Sequence, residues 1–244
     1  MSATSLPGQP IIRGDALDFY LAQGYYRMQQ DLFTCQFVPF DGRIYTAHWL
    51  RLALNRVEWG PEQRRLLRRN ARLAATVQPF RPTLEHEELY TRYRNAITFD
   101  AAPTVAAVLL GEAEHNVFNT YAIELRDGAR LVAVGIFDLG HRTLAGILNY
   151  YDPDYRRDSL GIYLLLLKIQ YASQARLQYY YPGYMVHGYP KFDYKLAISP
   201  AATEVFDSIR GLWQHFLAEE IAAQSAELLA EWLPEELQGR IENS

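Results

Sequence analysis

The sequence predicts an α+β protein: a mixed sheet flanked by helices, with a small N-terminal β-rich unit (residues 1–58), a main domain (59–200) and an acidic helical C-terminal extension (201–244). Three observations lead there. TYAIEL and RLVAVGIFDL flank the Asp127-Gly128 turn and TLAGILNYYD follows, closed by Asp152-Pro153, so three antiparallel strands lie in a row. SLGIYLLLLKIQYASQARL then reads as a long helix, and LQYYYPGYMV as one more strand. Two helical stretches precede the strands, giving the order helix, helix, three strands, helix, strand.

The elements follow in chain order. DALDFYLAQGYYR has room for a helical turn or two ending near Gly24, LFTCQFVPF is strand-like, and Asp41-Gly42 is a turn signal between apolar runs. In GPEQRRLLRRNARLAA, Pro61 suits the first helical position and Glu62 the positive end. TVQPFRP is a short strand ended by proline. Thr83 is a plausible N-cap for TLEHEELYTRYRNAI, but His86 stands where a capping box wants Glu or Gln. Another helix is expected over 103–114, and Ser159 is the expected N-cap of the long one. Residues 201–233 read as one or two helices, with Pro234 an interruption.

Composition narrows the class. A 49% hydrophobic, 21% charged chain of 244 residues builds a sizeable core. Net charge is −4, distributed as −7 over residues 201–244 and +3 over the rest. A single cysteine, Cys35, excludes an intrachain disulfide framework and a multi-cysteine zinc site, and points to a reducing, cytoplasmic setting. MSATSLPGQP does not read as a signal peptide, and the longest apolar run, IYLLLL, is far too short to span a bilayer, so no membrane is expected as a partner. The six histidines show no HxxxH or HxH pair, so no metal and no cofactor is called for.

The strand order is that of the N-acetyltransferase-like (GNAT) fold, in which the strands before and after the helix splay apart to admit an acyl donor. The residues are more specific. RLVAVGIFDL, LNYYDPDYRRDSLGIYLLLLKIQYA and QYYYPGYMVHGYPKFDYK, in that order, resemble the C-terminal half of the arginyl/leucyl-tRNA–protein transferase family; SLPGQ, LAQGYYR, PEQRRLLRRN and ELYTRYRN are similar to its upstream segments. The resemblance covers about residues 5–200. It implies transfer of arginine or leucine from aminoacyl-tRNA to the N-terminal amine of a protein, marking that protein for degradation. It also marks departures: the family's N-terminal CxxC cluster has no counterpart here, and Pro182, Tyr189 and Phe192 replace family residues. A GNAT-like N-acyltransferase using acyl-CoA, and a catalytically silent protein- or RNA-binding relative, stay open beside it.

Candidate site residues follow from both readings. Tyr180, Tyr181, Gly183 and Tyr184 sit where proline and glycine break a strand, which frees backbone and places hydroxyls at a pocket; the bland alternative is tyrosines packed at the core's edge. Lys191, Tyr194 and Lys195 follow, with Lys195 in the best-matched position; a solvated loop is the alternative. Ser159 and Gly161 open a helix whose N–H groups suit an anion or acyl donor, or form a plain cap. Asp138 and Asp152 lie on strands flanking the expected cleft and are candidates to accept the amine's proton; Asp152 equally suits a turn, and Glu124 is a weaker third. Arg64, Arg65, Arg68, Arg69 and Arg72 form one basic helix face suited to tRNA phosphates or to pairing with the acidic tail.

Overall fold

The computed structural model describes residues 11–232. The SLPGQ segment, Pro234 and the last acidic residues of the tail lie outside the described residues. In chain order the elements are α1 (Asp15–Ala22), β1 (Tyr26–Met28), β2 (Asp31–Phe33), β3 (Phe37–Phe40), β4 (Arg43–Ala53), α2 (Pro61–Asn70), β5 (Ala74–Pro79), α3 (Leu84–Ala96), α4 (Val105–Leu110), β6 (Thr120–Asp127), β7 (Arg130–Leu139), β8 (Thr143–Tyr151), α5 (Leu160–Gln174), β9 (Tyr179–Val186), β10 (Thr203–Asp207), β11 (Leu212–His215) and α6 (Ala218–Trp232). Short 3-10 turns cover Pro153–Asp158 and Pro190–Lys195.

One sheet in the order β11-β10-β4-β9-β8-β7-β6-β5 organises the chain, with β3 added on β4. Its strands pair antiparallel except β8 and β9, which run parallel. Helix α5 covers one face with Leu160, Leu164, Leu165 and Ile169, against Ile123, Leu125 and Phe137, while α2 adds Leu66 and Leu67. Helices α3 and α4 cover the other face with Leu89, Tyr90, Val105 and Leu109, against Ala122, Val134, Ile136 and Tyr150. This is the expected mixed sheet between helices, with the GNAT order around β8, α5 and β9. The parallel pairing stops after three residues, Thr143–Ala145 against Tyr179–Tyr181. From there the two strands separate, and that gap positions the site.

Local chemistry explains most elements. The Asp41-Gly42 turn uses positive φ at both residues (49° and 75°), the geometry of the hairpin joining β3 to β4. Helix α3 does carry a reciprocal capping box: His86 N donates to Thr83 Oγ1, and Thr83 N donates to His86 Nδ1 at 3.1 Å. Histidine thus takes the role of Glu, and its Nε2 meets Glu124 Oε1 at 3.0 Å, which ties Glu124 into the helix–sheet contact.

Three expectations about local structure are corrected. The expected helix over 103–114 is the shorter α4. Residues 203–215 form β10 and β11 rather than helix: alternating Thr203 and Val205 are buried against β4, Glu204 pairs with Arg51 at 2.7 Å, and Asp207 accepts from the N–H groups of Ile209 and Arg210 in the turn. Pairing with β4 overrides the helix preference of the surrounding acids. Ser159 makes no side-chain cap bond; it sits left-handed at φ 53°, where the preceding 3-10 turn runs straight into α5, and N-capping needs extended backbone. The boundaries at 58 and 200 fall between strands of one sheet, since β4 pairs with both β9 and β10.

Candidate functional site

Strand β9 builds the site. Tyr181 and Pro182 together oppose Arg51 of β4, because the register steps from Leu50↔Gly183 to Leu52↔Tyr180. This is a bulge, and Gly183 completes it at φ 96°, a conformation costly for any residue with a Cβ. The bulge divides the tyrosines. Tyr180 packs toward α5, its hydroxyl so close to Gly146 that a side chain there would collide with it at 2.8 Å. Tyr181 turns to the opposite face, with Tyr26 and Trp213. Tyr184 sets its ring edge-on to Trp49 at 5.1 Å.

Where β8 and β9 part, a slot of about 190 Å³ opens, lined by Gly146–Asn149, Leu165, Lys168, Tyr180, Pro182, Tyr194 and Lys195. It shares Asn149, Tyr194 and Lys195 with a wide bowl of about 1050 Å³. The bowl's wall is aromatic: Phe40 stacks on Tyr189 at 4.8 Å, and Tyr93, Phe99, Tyr151, Tyr184 and Phe192 join them. Asp41 and Asp100 also line the bowl, and Gly161 lies on it.

Lys195 sits at the junction. It is 8% exposed, donates to Tyr184 O at 2.7 Å, and otherwise faces the rings of Phe192, Tyr184 and Tyr194 at 5.1–5.9 Å. Burial pulls its pKa down to about 8. Lys191 lies over the Phe99 ring at 3.9 Å on the outer bowl. Of the residues expected at a site, Tyr180, Tyr184, Lys191, Tyr194, Lys195 and Gly161 line one continuous depression, and Gly183 lies behind Lys195 without lining it.

The carboxylates fall elsewhere. Asp138 has no exposed surface; Arg27 Nη1 lies 2.9 Å away and Thr120 Oγ1 donates at 2.6 Å. Burial pushes its carboxyl up, against the pull of Arg27 and Thr120. Asp152 accepts from the Asp154 N–H at the 3-10 turn and from Arg130 at 2.6 Å and Arg92 at 3.3 Å, and its pKa is lowered: burial alone would raise it, but the Asp154 amide and the two arginines outweigh that. Both are committed to structural bonds, and neither lines the bowl or the slot. Tyr181 is buried on the far face, where burial pushes its hydroxyl up to about 12. Ser159 borders a small dimple with Glu62, Arg65, Leu66 and Arg69 rather than the bowl. On α2 the arginines are exposed; Arg64 bonds Trp59 O and Arg69 bonds Arg157 O, while Arg72 lies past the helix end and pairs with Asp158 and Asp127. Helix α6 packs instead on β4 and β3 through Ile221, Ser225 and Trp232.

Sequence reasoning missed Lys168. It lies on α5, 1% exposed, and its Nζ donates to Ile136 O at 2.7 Å and Asn149 Oδ1 at 2.8 Å. Burial, partly offset by the field of Asp138, lowers its pKa to about 7. Gly135 makes room for it: a Cβ there would press on Lys168 Cε and Asn149 Oδ1 at 3.1 Å. A signal was present. The chain holds 21 arginines but three lysines, Lys168, Lys191 and Lys195, and all three border the bowl or the slot. Lysine loses its proton readily when buried and arginine does not, so the choice carries chemistry. Among the described residues no group of three or more His, Cys, Asp and Glu is arranged to hold a metal ion. Cys35 is half-buried, its thiol pushed up to about 11 by burial.

Residues 85–204 match the family model described as arginine-tRNA-protein transferase, C terminus. An aspartate/glutamate leucyltransferase of Methylorubrum extorquens is 31% identical over 202 residues, covering 77% of this chain and 80% of that protein. The chain belongs to the arginine-tRNA-protein transferase family. A protein with the same description from Acinetobacter baumannii is 32% identical over 162 residues, 65% of this chain; the match spans 60% of that relative's length. Among solved structures, the C-terminal domain of a putative lysylphosphatidylglycerol synthetase from Agrobacterium fabrum superposes with a TM-score of 0.47 at 13% identity, covering 75% of this chain and 65% of that one. The family segment holds β6–β9, α5 and all three lysines, while α2 and β4 precede it. No helix among the described residues is long and apolar enough to cross a membrane.

Proposed function

We propose that this chain transfers leucine from leucyl-tRNA to the N-terminal amine of proteins that begin with aspartate or glutamate, marking them for degradation. The observation that carries this reading is the composite pocket of a family member: an aromatic bowl that narrows, at the splay of β8 and β9, onto Lys195. Stacked rings such as Phe40 and Tyr189 suit the unpaired bases at a tRNA's acceptor end, which stack on aromatic faces without sequence preference. The exposed arginines Arg64, Arg65, Arg68 and Arg69 of α2, with Arg72 just past its end, suit its phosphates. Leucine is preferred over arginine because both relatives above are described as leucyltransferases.

The chemistry asks little of the protein. The ester carbonyl is attacked by the neutral amine; the C–N bond forms, the bond to the ribose oxygen breaks, the nitrogen loses a proton and the ribose oxygen gains one. Lys195 Nζ has hydrogens unspent on other oxygens and a pKa near that of an N-terminal amine, so as ammonium it stabilises the oxyanion and passes a proton to the leaving oxygen. Orientation in the pocket supplies the rest. Asp138 and Asp152 take no part in this scheme.

The test is transfer of radiolabelled leucine or arginine from charged tRNA to peptides beginning with Asp, Glu, Arg or Lys. Leucine appearing on the Asp and Glu peptides, and lost in Lys195→Ala, supports the reading. Transfer of arginine instead, or no transfer by the folded protein, rejects it.

A further inference from the structure

Transfer to an amine explains one buried lysine at the junction. It does not explain a second. Lys168 lies beneath the slot with Lys195 at its border, and among the described residues neither forms an ion pair. Burying a charge without a counter-charge is costly and is not kept for stability. The nearby carboxylates cannot serve: Asp138 is held by Arg27, Asp152 by Arg92 and Arg130, and Asp41 and Asp100 line the bowl but not the slot.

Both ammonium groups line the same slot. An ammonium has three to give. Lys168 places two well, on Ile136 O and Asn149 Oδ1, while Leu148 O lies at 3.5 Å, the outer limit of a bond. Lys195 places one well, on Tyr184 O. At about 190 Å³ the slot has room for a short side chain. Ile147, Leu148, Leu165 and Pro182 complete it with apolar surface that suits one or two methylenes. Gly135 and Gly146 clear the space from the β7 and β8 sides.

We propose that the slot receives the side-chain carboxylate of the acceptor's first residue, aspartate or glutamate, and that Lys168, with Lys195 at the slot's border, is the residue that reads it. This rests on the reading of the chain as a transferase acting on protein N-termini, and adds the residue and the place that choose the acceptor. An asparagine or glutamine side chain, equal in shape, brings an NH2 group against ammonium groups and is rejected.

The scarcity of lysine makes the test direct. Protein labelled with 13C at lysine Cε gives three side-chain signals, assigned with Lys168→Arg and Lys191→Arg. A short peptide beginning with Asp is titrated against its Asn counterpart with no tRNA present. The Asp peptide is expected to bind about 30-fold more tightly, the scale set by pairing a buried charge, and to shift the Lys168 signal and raise its titration midpoint. The Asn peptide leaves that signal in place. In Lys168→Met, shown folded by its melting curve, the preference falls about tenfold. A Lys168 signal unmoved by saturating Asp peptide, equal binding of the two peptides, or no binding of either overturns the proposal, and all three are read on the native protein. Leucine transfer measured separately keeps the two readings apart. Transfer to Asp and Asn peptides alike would sink this inference and leave the transferase standing; an Asp preference without transfer would do the reverse.

Discussion

Beneath one sheet lie two pairs of buried charges that the protein treats in opposite ways. Asp138 and Asp152 are surrounded: Arg27 and Thr120 close on the first, Arg92, Arg130 and a backbone amide on the second. Lys168 and Lys195 are nearly as deep, yet their partners are carbonyl and amide oxygens, and both border open space. A paired buried charge holds elements together. One left without its counter-ion beside a cavity awaits a ligand. In the proposed reading the acids are structure and the lysines are site, the reverse of what the strand positions of the acids suggest.

The largest effect that would break this contrast comes from Asp138. Replacing it with Ala strands the Arg27 guanidinium, 2% exposed at its side chain, without an anion. The expected loss is about 3–5 kcal/mol of unfolding free energy, because an uncompensated buried charge remains. Denaturant melts of Asp138→Ala, Arg27→Met and the double variant measure it, and the double variant should recover part of the loss. An Asp138→Ala protein that keeps its stability but loses transfer would restore the carboxylate to the chemistry.

The same contrast shows what could be read from the chain alone. The order of strands and helices, the break at Pro182 and Gly183, and the family were legible because they rest on local pattern: alternation, turn residues, a motif in order. The burial of Asp138 was not legible because its partner, Arg27, is 111 residues away, and nothing local distinguishes a carboxylate aimed at a cleft from one aimed at an arginine. Residues 203–215 were misread for the same reason, since the strand exists through pairing with β4. Lys168 was overlooked because a single cation ending the run LLLL looks like the edge of a helix face; only its rarity in the whole composition singles it out.

Next in size is Lys195. Lys195→Met keeps the volume and removes the charge, and a folded variant is expected to lose about a hundredfold in kcat/KM for transfer, the lower end of what a positioned proton donor supplies. Asp152→Asn, by contrast, should weaken the Pro153–Asp158 turn and leave the rate per folded molecule within about threefold, since the group touches no reacting atom. Equal losses of rate in the two variants would erase the distinction.

The lysines also leave a signature in the pH dependence of stability. Their pKa values are about 7 and about 8 in the folded protein, against an ordinary value of 10.5. Below pH 7 both states hold the protons, and stability is insensitive to these groups. Above it the folded protein releases them while the unfolded chain keeps them, so unfolding becomes harder as pH rises toward 10. Each lysine contributes a slope of up to about 1.4 kcal/mol per pH unit within its window. Urea melts from pH 6.5 to 9.5 should show a rise in the native protein that Lys168→Met and Lys195→Met each reduce. A flat difference between native and variants would mean that the lysines are solvated, and would remove the premise of an open charged slot.

The smallest effects compare two residues that look alike in sequence. Thr83 and Ser159 each precede a helix, and the sequence names both as N-caps. Thr83 is extended and exchanges two bonds with His86; Ser159 is left-handed and gives none. Thr83→Ala should therefore cost about 1 kcal/mol. Ser159→Ala should fall within about 0.5 kcal/mol, because no bond is lost. Ser159→Gly should be neutral or slightly stabilising, because glycine occupies φ near 53° without a Cβ penalty. Thermal melts of the three variants order these effects. If Ser159→Ala instead weakened transfer while leaving the melt untouched, the dimple it shares with Arg65 and Arg69 would join the bowl as part of the tRNA-facing surface, and the site would extend from β9 across the start of α5 to α2.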